Sequence, residues 1–591
     1  MNRNISDFRG LISRAPFAVL FAVTFIFFAF FGDYVLFFQE KSSLFLFTKE
    51  FLTENLHQPG GFLIWLAKLA SSFFFSPLTG ALIISVVLTF IAISSSQIIT
   101  SFSGNGGNIF SVMITVVLFY LQTEYRFLFF NLIGILLQLL LFILALRHLK
   151  ILKGWGPVLI IPLLYYLTGG FAWIYSIMLT LVLILTGIKN NIVKIVLFWL
   201  INILSFWFLK DFIFFQTTKT LLVFPWSDLS TGSQSNIFFV VTGIITFLPL
   251  LSKVHFPVPV KFRIRQPVII YLISGFTAVL FSSVAVIQFD DRNASYFHIE
   301  KLFCEEKYND VVTWNLEHPP TNKLTIFLNN IALCETDRLN DLLFNFPQSP
   351  DGSTLFLKWE MTGEILRRGA YFYYATGMIN EAHRWAFENM VMKGLTPEGL
   401  KMLIKTEIIN GNYQMAARYI NLLKRTIFYR KEAVAFEKFL FNDQAVNADH
   451  DLGMKRKIKL KADFFTITDD PNVNIERTFS SDSLNRRAFE YKTAFSMLRK
   501  DYPAIAKGLP QFARYGYTKF PLHVEEAAVA LSVFNNGNLP GLGSIPMGIA
   551  TAGRWEQFLT VFQKYGNNPQ TAEPALRKQF GNTFWYYSFY R

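Results

Sequence analysis

Nine apolar segments dominate residues 16–288 and restrict how this part of the chain can fold. A helix needs roughly 17–25 apolar residues to cross a bilayer, and seven of the nine segments reach that length. In hydrocarbon, backbone N–H and C=O groups must be paired within the protein, which favours helices. We therefore predict a polytopic helical membrane domain over residues 1–288, with about nine spans. The segments are 16–38, 77–99, 109–123, 127–146, 156–168, 171–187, 193–209, 236–252 and 268–288.

Residues 289–591 differ in composition, because charged residues are spread throughout them. Two stretches here are alike: GMINEAHRWAF begins at Gly377 and GNYQMAARYIN begins at Gly411, 34 residues later, with Ala382 in register with Ala416. This period resembles the tetratricopeptide repeat, a helix–turn–helix unit that buries its apolar face by stacking on neighbours. We therefore predict an all-α chain in which residues 289–591 form a soluble α-solenoid.

The positions of Lys and Arg predict the orientation in the membrane. With the N-terminus in the cytoplasm, the cytoplasmic segments hold twelve basic residues and one acid, Asp7. An odd number of spans then places residues 289–591 outside the cytoplasm. The net charge of +14 is mainly a topology signal, and it does not indicate a nucleic-acid partner. The basic residues are Arg3, Arg9, Arg14, Arg147, Lys150, Lys153, Lys189, Lys194, Lys253, Lys261, Arg263 and Arg265.

Two carboxylates lie at the end of the first apolar segment, which this topology places on the outer side. An acid costs about 2.5–3.5 kcal/mol at mid-bilayer and less near the surface, so Asp33 is a functional candidate. Glu40 follows seven residues later, which is about 10 Å along a continuous helix and on the same side of it.

The next loop mixes apolar and charged residues. Residues 42–56 and 61–76 have the composition of helices that lie along the membrane surface, and HQPGG (His57 to Gly61) separates them. We therefore predict two interfacial helices over residues 42–76, the second of which carries Lys68.

One span, an acid at its outer end, two interfacial helices and a second span form a layout that resembles the membrane glycosyltransferases of the GT-C fold. Those enzymes use sugars linked to polyprenyl phosphate. An acid in their first outer loop serves as catalytic base or metal ligand. The resemblance implies this role for Asp33, with Glu40 or with Glu124 of the QTEYRF turn as second acid. The sequence departs from the family pattern, because Gly32-Asp33-Tyr34 contains one acid where the family usually has two.

The resemblance also implies how the other polar residues act. A carboxylate takes the proton of an acceptor hydroxyl or holds a divalent metal, Mg or Mn, with Asp33 as the candidate ligand. Lys or Arg neutralises the lipid phosphate that leaves. The candidates for phosphate binding are Arg126, Lys68 and His57.

The whole chain, including QEKSSLFLF (Gln39 to Phe47) and LHQPGGFL (Leu56 to Leu63), also resembles an uncharacterised family of Gram-negative inner-membrane proteins. Members of that family join such a membrane half to a helical-repeat tail. This resemblance implies a multi-pass protein of the bacterial inner membrane with a periplasmic C-terminal domain. It implies no established activity.

Two functions follow as expectations. The first is a glycosyltransferase or ligase that moves a sugar or glycan from a polyprenyl-phosphate donor to an acceptor presented by the repeat domain. The alternative is a non-enzymatic scaffold whose repeat domain recruits protein or peptide partners in envelope assembly or secretion. A transporter is disfavoured, because no matching pair of broken spans occurs in two halves of the sequence.

Two further features of residues 289–591, the cysteines and a basic run, have structural interpretations that involve no specific function. Cys304 and Cys334 are the only cysteines, and in an exported domain they either form a disulfide or remain buried thiols. The run MKRKIKLKAD (Met454 to Asp463) alternates basic and apolar residues, and we expect it to be a solvated face.

Overall fold

The computed structural model describes residues 14–103, 107–148, 160–226, 232–251, 266–359, 364–460, 470–482, 484–534 and 545–591. Every regular element within these ranges is helical. Contacts divide the chain into two compact units. The first comprises Met1–Ala294 with the short segment Arg425–Phe428, and the second comprises Ser295–Lys424 with Tyr429–Arg591.

The first unit contains fourteen α-helices in the described ranges, and a fifteenth begins at its end. They are α1 Ala15–Phe30, α2 Asp33–Ser42, α3 Lys49–Leu56, α4 Gly61–Ser72, α5 Pro77–Ser103, α6 Gly107–Gln122, α7 Phe130–His148, α8 Ile161–Thr168, α9 Ala172–Leu185, α10 Ile188–Phe208, α11 Thr218–Val223, α12 Gly232–Thr246, α13 Leu248–Leu251, α14 Gln266–Gln288 and α15 Asp291–Cys304. A 3₁₀ turn spans Phe73–Phe75, and a second joins α8 to α9 at Gly169–Phe171.

Five helical elements of the described chain are long and apolar enough to cross a membrane, and a sixth is added if α1 and α2 count as one bent span. The predicted segments 156–168 and 171–187 belong to one element, because the 3₁₀ turn between α8 and α9 does not reverse the chain. The count of about nine spans therefore stays a prediction. The five elements are Pro77–Ser101, Phe130–Arg147, Ile161–Leu185, Asn191–Phe214 and Val268–Gln288.

Most basic residues that predict the orientation lie outside the described ranges, so the predicted topology stays a prediction as well. These residues are Arg3, Arg9, Lys150, Lys153, Lys253, Lys261, Arg263 and Arg265.

The predicted span 16–38 is not one straight helix, since the chain bends by 70° between α1 and α2. The backbone N–H groups of Phe31 and Gly32 both donate to the carbonyl oxygen of Phe27, at 2.9 and 2.7 Å, so the regular α-helical register ends there. A Cβ atom at Gly32 would lie 2.7 Å from the Phe27 ring, so a larger residue here would displace that ring. The break makes Asp33 the first residue of a new helix.

The predicted interfacial helices are shorter than the sequence suggested. Residues 43–48 are non-helical, and the first helix starts only at Lys49, where the Thr48 side chain caps its N-terminus by accepting from the Phe51 N–H. The interruption at HQPGG is present, with Gly60 at φ 68°.

The second unit is built from helices joined by short turns. In its described ranges they are α16 Tyr308–Glu317, α17 Lys323–Glu335, α18 Leu339–Leu342, α19 Ile365–Ala375, α20 Ile379–Lys393, α21 Pro397–Asn410, α22 Tyr413–Lys424, α23 Arg430–Glu437, α24 Asp443–Ala448, α25 His450–Ile458, α26 Pro471–Ser481, α27 Arg486–Leu498, α28 Tyr502–Gly508, α29 Gln511–Arg514, α30 Leu522–Phe534, α31 Ile549–Lys564, α32 Pro569–Phe580 and α33 Phe584–Tyr590.

The two similar sequence stretches occupy equivalent places in successive helical hairpins. Gly377 and Gly411 have φ values of 85° and 80° and lie in the turns before α20 and α22. A left-handed backbone of this kind favours glycine. Ala382 and Ala416, three residues into those helices by the same register, are both fully buried. The 34-residue period thus corresponds to a repeated helix–turn–helix unit, and its identity as a tetratricopeptide repeat stays a prediction.

Two details of the second unit correct or settle the sequence analysis. Lys455 of the basic run is fully buried rather than solvated, because its Nζ binds Glu335 Oε1 at 2.5 Å and the Ala375 carbonyl at 3.3 Å. Residues 461–463 of that run lie outside the described ranges. Cys304 and Cys334 are both free thiols, so no disulfide joins them.

Candidate functional site

Asp33 is the first residue of α2, directly after the break, and its side chain is exposed. The N-terminus of a helix carries a partial positive charge, which favours a carboxylate at this position. An exposed carboxylate at the start of α2 is therefore in a favourable position.

Three acidic residues of this region act electrostatically on the side chain of Tyr34. Its side chain is buried, and the backbone of Asp290 hydrogen-bonds its hydroxyl group. The carboxylates of Asp290, Glu124 and Asp33 all lie within electrostatic reach of that hydroxyl. The charges of Asp33 and Glu124 thus both act on Tyr34, although the two residues come from different helical segments. Their shared catalytic role stays a prediction.

The connection between α6 and α7, residues 123–129, lies against α2. The Gln39 Nε2 donates to the Phe127 carbonyl oxygen at 3.0 Å. The Phe38 and Tyr125 rings pack edge to face with centroids 4.7 Å apart. Arg126, which is exposed, lies with its guanidinium carbon 5.2 Å from the centroid of the Tyr125 ring. One predicted phosphate ligand, Arg126, is therefore placed on the same connection as Glu124.

Glu40 lies near the other end of α2. Its side chain is buried, and Lys41 Nζ is 3.7 Å from its Oε2. Seven residues separate Glu40 from Asp33 on the same helix, which corresponds to about 10 Å. A buried carboxylate beside a buried ammonium is an arrangement that neutralises charge in the interior, so Glu40 is best described as half of a structural pair.

His57 and Lys68 belong to the hairpin of α3 and α4. His57 is exposed at the C-terminal end of α3. Lys68 Nζ is 3.5 Å from Asn55 Oδ1 and 5.4 Å from the centroid of the Phe51 ring. Burial lowers the pKa of the Lys68 ammonium, and the nearby charge of Glu54 only partly opposes this. The contacts of Lys68 are made within the hairpin.

A divalent metal requires several oxygen or nitrogen ligands around one point. Within the described ranges, no three side chains of Asp, Glu, His or Cys are grouped so that they would hold a metal ion. Metal binding at Asp33 therefore stays a prediction.

The sequence analysis missed Tyr34 and Asp290. The Asp290 carboxylate caps α15, since its Oδ1 accepts from the backbone N–H groups of Arg292 and Asn293 at 3.0 and 3.1 Å. The sequence feature that could have identified Asp290 is an acid directly after the last apolar segment, in the stretch QFDDRN. The same criterion that selected Asp33 would have selected Asp290, had it been applied to the last span.

Taken together, the region offers an exposed carboxylate, a second partly exposed carboxylate and a buried phenol, with a guanidinium on the adjoining connection. Carboxylates accept protons from hydroxyl groups, and a guanidinium binds phosphate oxygens. The arrangement suits a reaction between a hydroxyl group and a phosphate-linked molecule at the membrane surface.

Comparison with known proteins gives a family but no activity. No curated protein and no solved structure matches the chain. One family model, described as a family of unknown function (DUF6057), matches residues 10–591, which is nearly the whole chain. The protein belongs to this family of unknown function.

Proposed function

We propose that this protein is a GT-C-like membrane glycosyltransferase or ligase. It moves a sugar or glycan from a polyprenyl-phosphate donor to an acceptor outside the cytoplasm. The observation that supports this most is the exposed Asp33 at the break between α1 and α2, with Glu124 on the connection that packs against α2. A break of this kind frees a polar site at the end of an apolar helix, where a lipid-borne headgroup would arrive.

In the proposed reaction, Asp33 accepts the proton of the acceptor hydroxyl. The hydroxyl oxygen then forms a bond to the anomeric carbon of the donor sugar. The bond between that carbon and the phosphate oxygen breaks, and the polyprenyl phosphate leaves with the bonding electrons. Arg126 is placed to neutralise the phosphate charge, as a guanidinium does best through paired N–H donors.

The setting of the reaction is also part of the proposal. The protein lies in a bacterial inner membrane, with a cytoplasmic N-terminus and a periplasmic C-terminal domain. The distribution of Lys and Arg in the sequence supports this orientation. The repeated hairpins of the second unit, which we take as tetratricopeptide-like, present the acceptor.

A second candidate function is favoured by one observation on α20. Phe387, Val391 and Met392 on this helix are 41%, 62% and 47% exposed. Side chains three or four residues apart lie on one face of a helix, as Phe387 and Val391 do, and exposed apolar side chains on such a face suit a peptide or protein partner. This supports the scaffold function, in which the repeat domain recruits partners without any reaction in the membrane.

Deletion of the gene, followed by analysis of lipid-linked and envelope glycans, separates the two functions. The transferase predicts that one polyprenyl-linked glycan accumulates while one envelope glycan or glycoprotein is lost. The scaffold predicts an unchanged lipid-linked pool and a defect in the assembly or secretion of envelope proteins. An unchanged glycan profile in both fractions would contradict the transferase.

A further inference from the structure

Three buried amide side chains surround the connection at residues 123–129. Gln122 precedes it at the end of α6, Asn131 follows it near the start of α7, and Gln39 reaches it from α2. All three side chains are almost completely buried. The Nε2 of Gln39 donates to the Phe127 carbonyl, and the Nδ2 of Asn131 donates to the neighbouring carbonyl of Leu128, both at 3.0 Å.

Each of these amides keeps at least one polar atom without a hydrogen-bond partner in the described part of the protein. These atoms are Gln39 Oε1, Gln122 Oε1, Gln122 Nε2 and Asn131 Oδ1. The orientation of two of the amides is fixed, because only the nitrogen of Gln39 or Asn131 can face a backbone carbonyl oxygen. Their oxygens must therefore point elsewhere.

Polar atoms in such a position are costly. A buried donor or acceptor without a partner destabilises a protein by about 1–3 kcal/mol, and helices in an apolar domain offer few alternative partners. Buried polar groups of this kind call for a specific explanation, such as a bound water or ligand. Three of them around one short connection indicate a place built to receive hydrogen-bonding groups.

The chemistry of the three side chains restricts the ligand. Amides both donate and accept hydrogen bonds and carry no charge, and a sugar hydroxyl also both donates and accepts. A phosphate would instead require cations or several N–H donors. The charged residues Glu124 and Arg126 lie on the same connection, so charged groups and uncharged amides occur together in this region.

We propose that Gln39, Gln122 and Asn131 form a subsite that binds the hydroxyl groups of an uncharged sugar unit. This inference rests on the proposed transferase function and specifies which part of the donor is recognised. Because the amides are buried, the sugar reaches them only when the connection at 123–129 moves outward. That movement breaks the hydrogen bonds to Phe127 and Leu128, and the freed N–H groups of Gln39 and Asn131 then donate to the sugar.

A matched control residue lies seven positions along α7 from Asn131. Gln138 is also completely buried, its Nε2 donates to Thr168 Oγ1 at 3.1 Å, and its Oε1 has no partner among the described residues. Its hydrogen bond goes to α8 and not to the connection. Gln138→Met therefore makes the same chemical change as Gln122→Met at a site that the inference does not use.

The test uses the full chain in lipid nanodiscs and two probes: undecaprenyl phosphate, and undecaprenyl phosphate that carries one glucose. Binding is measured by native mass spectrometry. We expect the wild type to bind the glucosyl lipid about tenfold more tightly than the bare lipid, which corresponds to one or two additional hydrogen bonds. Gln122→Met binds both lipids with equal affinity, while Gln138→Met keeps the preference.

The outcomes distinguish the subsite from the proposed function. If Gln122→Met keeps the tenfold preference, or if the wild type binds both lipids equally, the amide subsite is wrong and the transferase still stands. If the wild type binds neither lipid, both are wrong. Should Gln122→Met fail to reach the membrane, Asn131→Leu replaces it and the same comparison decides.

Discussion

The rings of Phe38 and Tyr125 pack edge to face, with their centroids 4.7 Å apart. Phe38 belongs to the helix that begins with Asp33, and Tyr125 lies between Glu124 and Arg126. This contact therefore fixes the position of one acid relative to the other acid and to the guanidinium. It connects a packing interaction to the geometry of the candidate site.

Tyr125→Ala removes this contact and the ring beneath Arg126. We expect a loss of about 1–2 kcal/mol in stability, since an aromatic pair contributes about 0.5–1.5 kcal/mol beyond the burial of its area. We also expect reduced formation of the glycan product, because Asp33 and Glu124 are no longer held together. Tyr125→Phe keeps the ring and serves as the control. Thermal unfolding in detergent and glycan profiling measure the two effects, and equal behaviour of the two variants would contradict the role of the ring.

Arg368→Met tests the buried charges of the second unit. Arg368 Nη2 lies 2.6 Å from Glu300 Oε2, and the two side chains are 1% and 2% exposed. Removing one partner of a buried ion pair typically costs about 3–5 kcal/mol, because it leaves an uncompensated charge. We therefore expect a large drop in the melting temperature of the full chain.

The control for Arg368→Met is Lys307→Met. Lys307 pairs with Glu305 at 2.7 Å, but both side chains are exposed. Exposed pairs contribute little to stability, so this variant is expected to have the same melting temperature as the wild type. A melting temperature of Arg368→Met close to that of the control would show that the buried pair does not stabilise the fold.

Asp451→Asn tests a dependence of stability on pH. The carboxylate accepts from Lys405 Nζ at 2.8 Å and from the Tyr374 hydroxyl at 2.7 Å. Burial raises the pKa of Asp451, but the charges of Lys405 and Lys455 prevail and hold this pKa below its usual value. A depressed pKa gives stability that is complete above the unfolded pKa of about 3.9 and is lost as the pH falls through the folded value.

The wild type should accordingly melt at a higher temperature than Asp451→Asn between pH 7 and about pH 5. The difference should shrink from about pH 4 downward, as the carboxylate of the wild type becomes protonated. Thermal unfolding of both proteins between pH 7 and about pH 3 measures this difference in melting temperature. A difference that stays constant down to pH 3 would mean that Asp451 does not titrate with the depressed pKa.

The two cysteines should differ in reactivity. Burial raises the pKa of the Cys334 thiol to about 12, and the charge of Arg487 only partly opposes this. Cys304 is partly exposed. A maleimide at pH 7.5 is expected to add to the native protein once at most, at Cys304, and twice after denaturation, as read by intact mass. Rapid labelling of the native Cys304→Ser variant would contradict the burial of Cys334.

The repeated hairpins were predictable because their signal is local. Gly377 and Gly411 need a left-handed backbone in the turn before each helix, and the buried alanines follow at a fixed distance. The turn between α3 and α4 was predictable for the same reason, from the proline and glycines of HQPGG. Each of these features is decided by residues that are close in the sequence.

The features that the sequence analysis missed depend on partners that are distant in the sequence. Lys455 is buried because it meets Glu335, and a run of basic residues cannot reveal that partner. Asp290 meets Tyr34 only because the ends of the first and last apolar helices come together. The break at Gly32 also escaped detection, since hydropathy is continuous across it.

Asp33→Asn is the most direct test of the proposed transferase, with Asp211→Asn as the control. Asp211 also follows an apolar helix, and its Oδ1 lies 2.8 Å from Lys210 Nζ. Each variant is expressed in the deletion strain at the membrane level of the wild type, and envelope glycans are profiled. We expect Asp33→Asn to lose the glycan that the wild type restores, while Asp211→Asn restores it fully. Full restoration by Asp33→Asn would contradict a catalytic role for Asp33 and favour the scaffold.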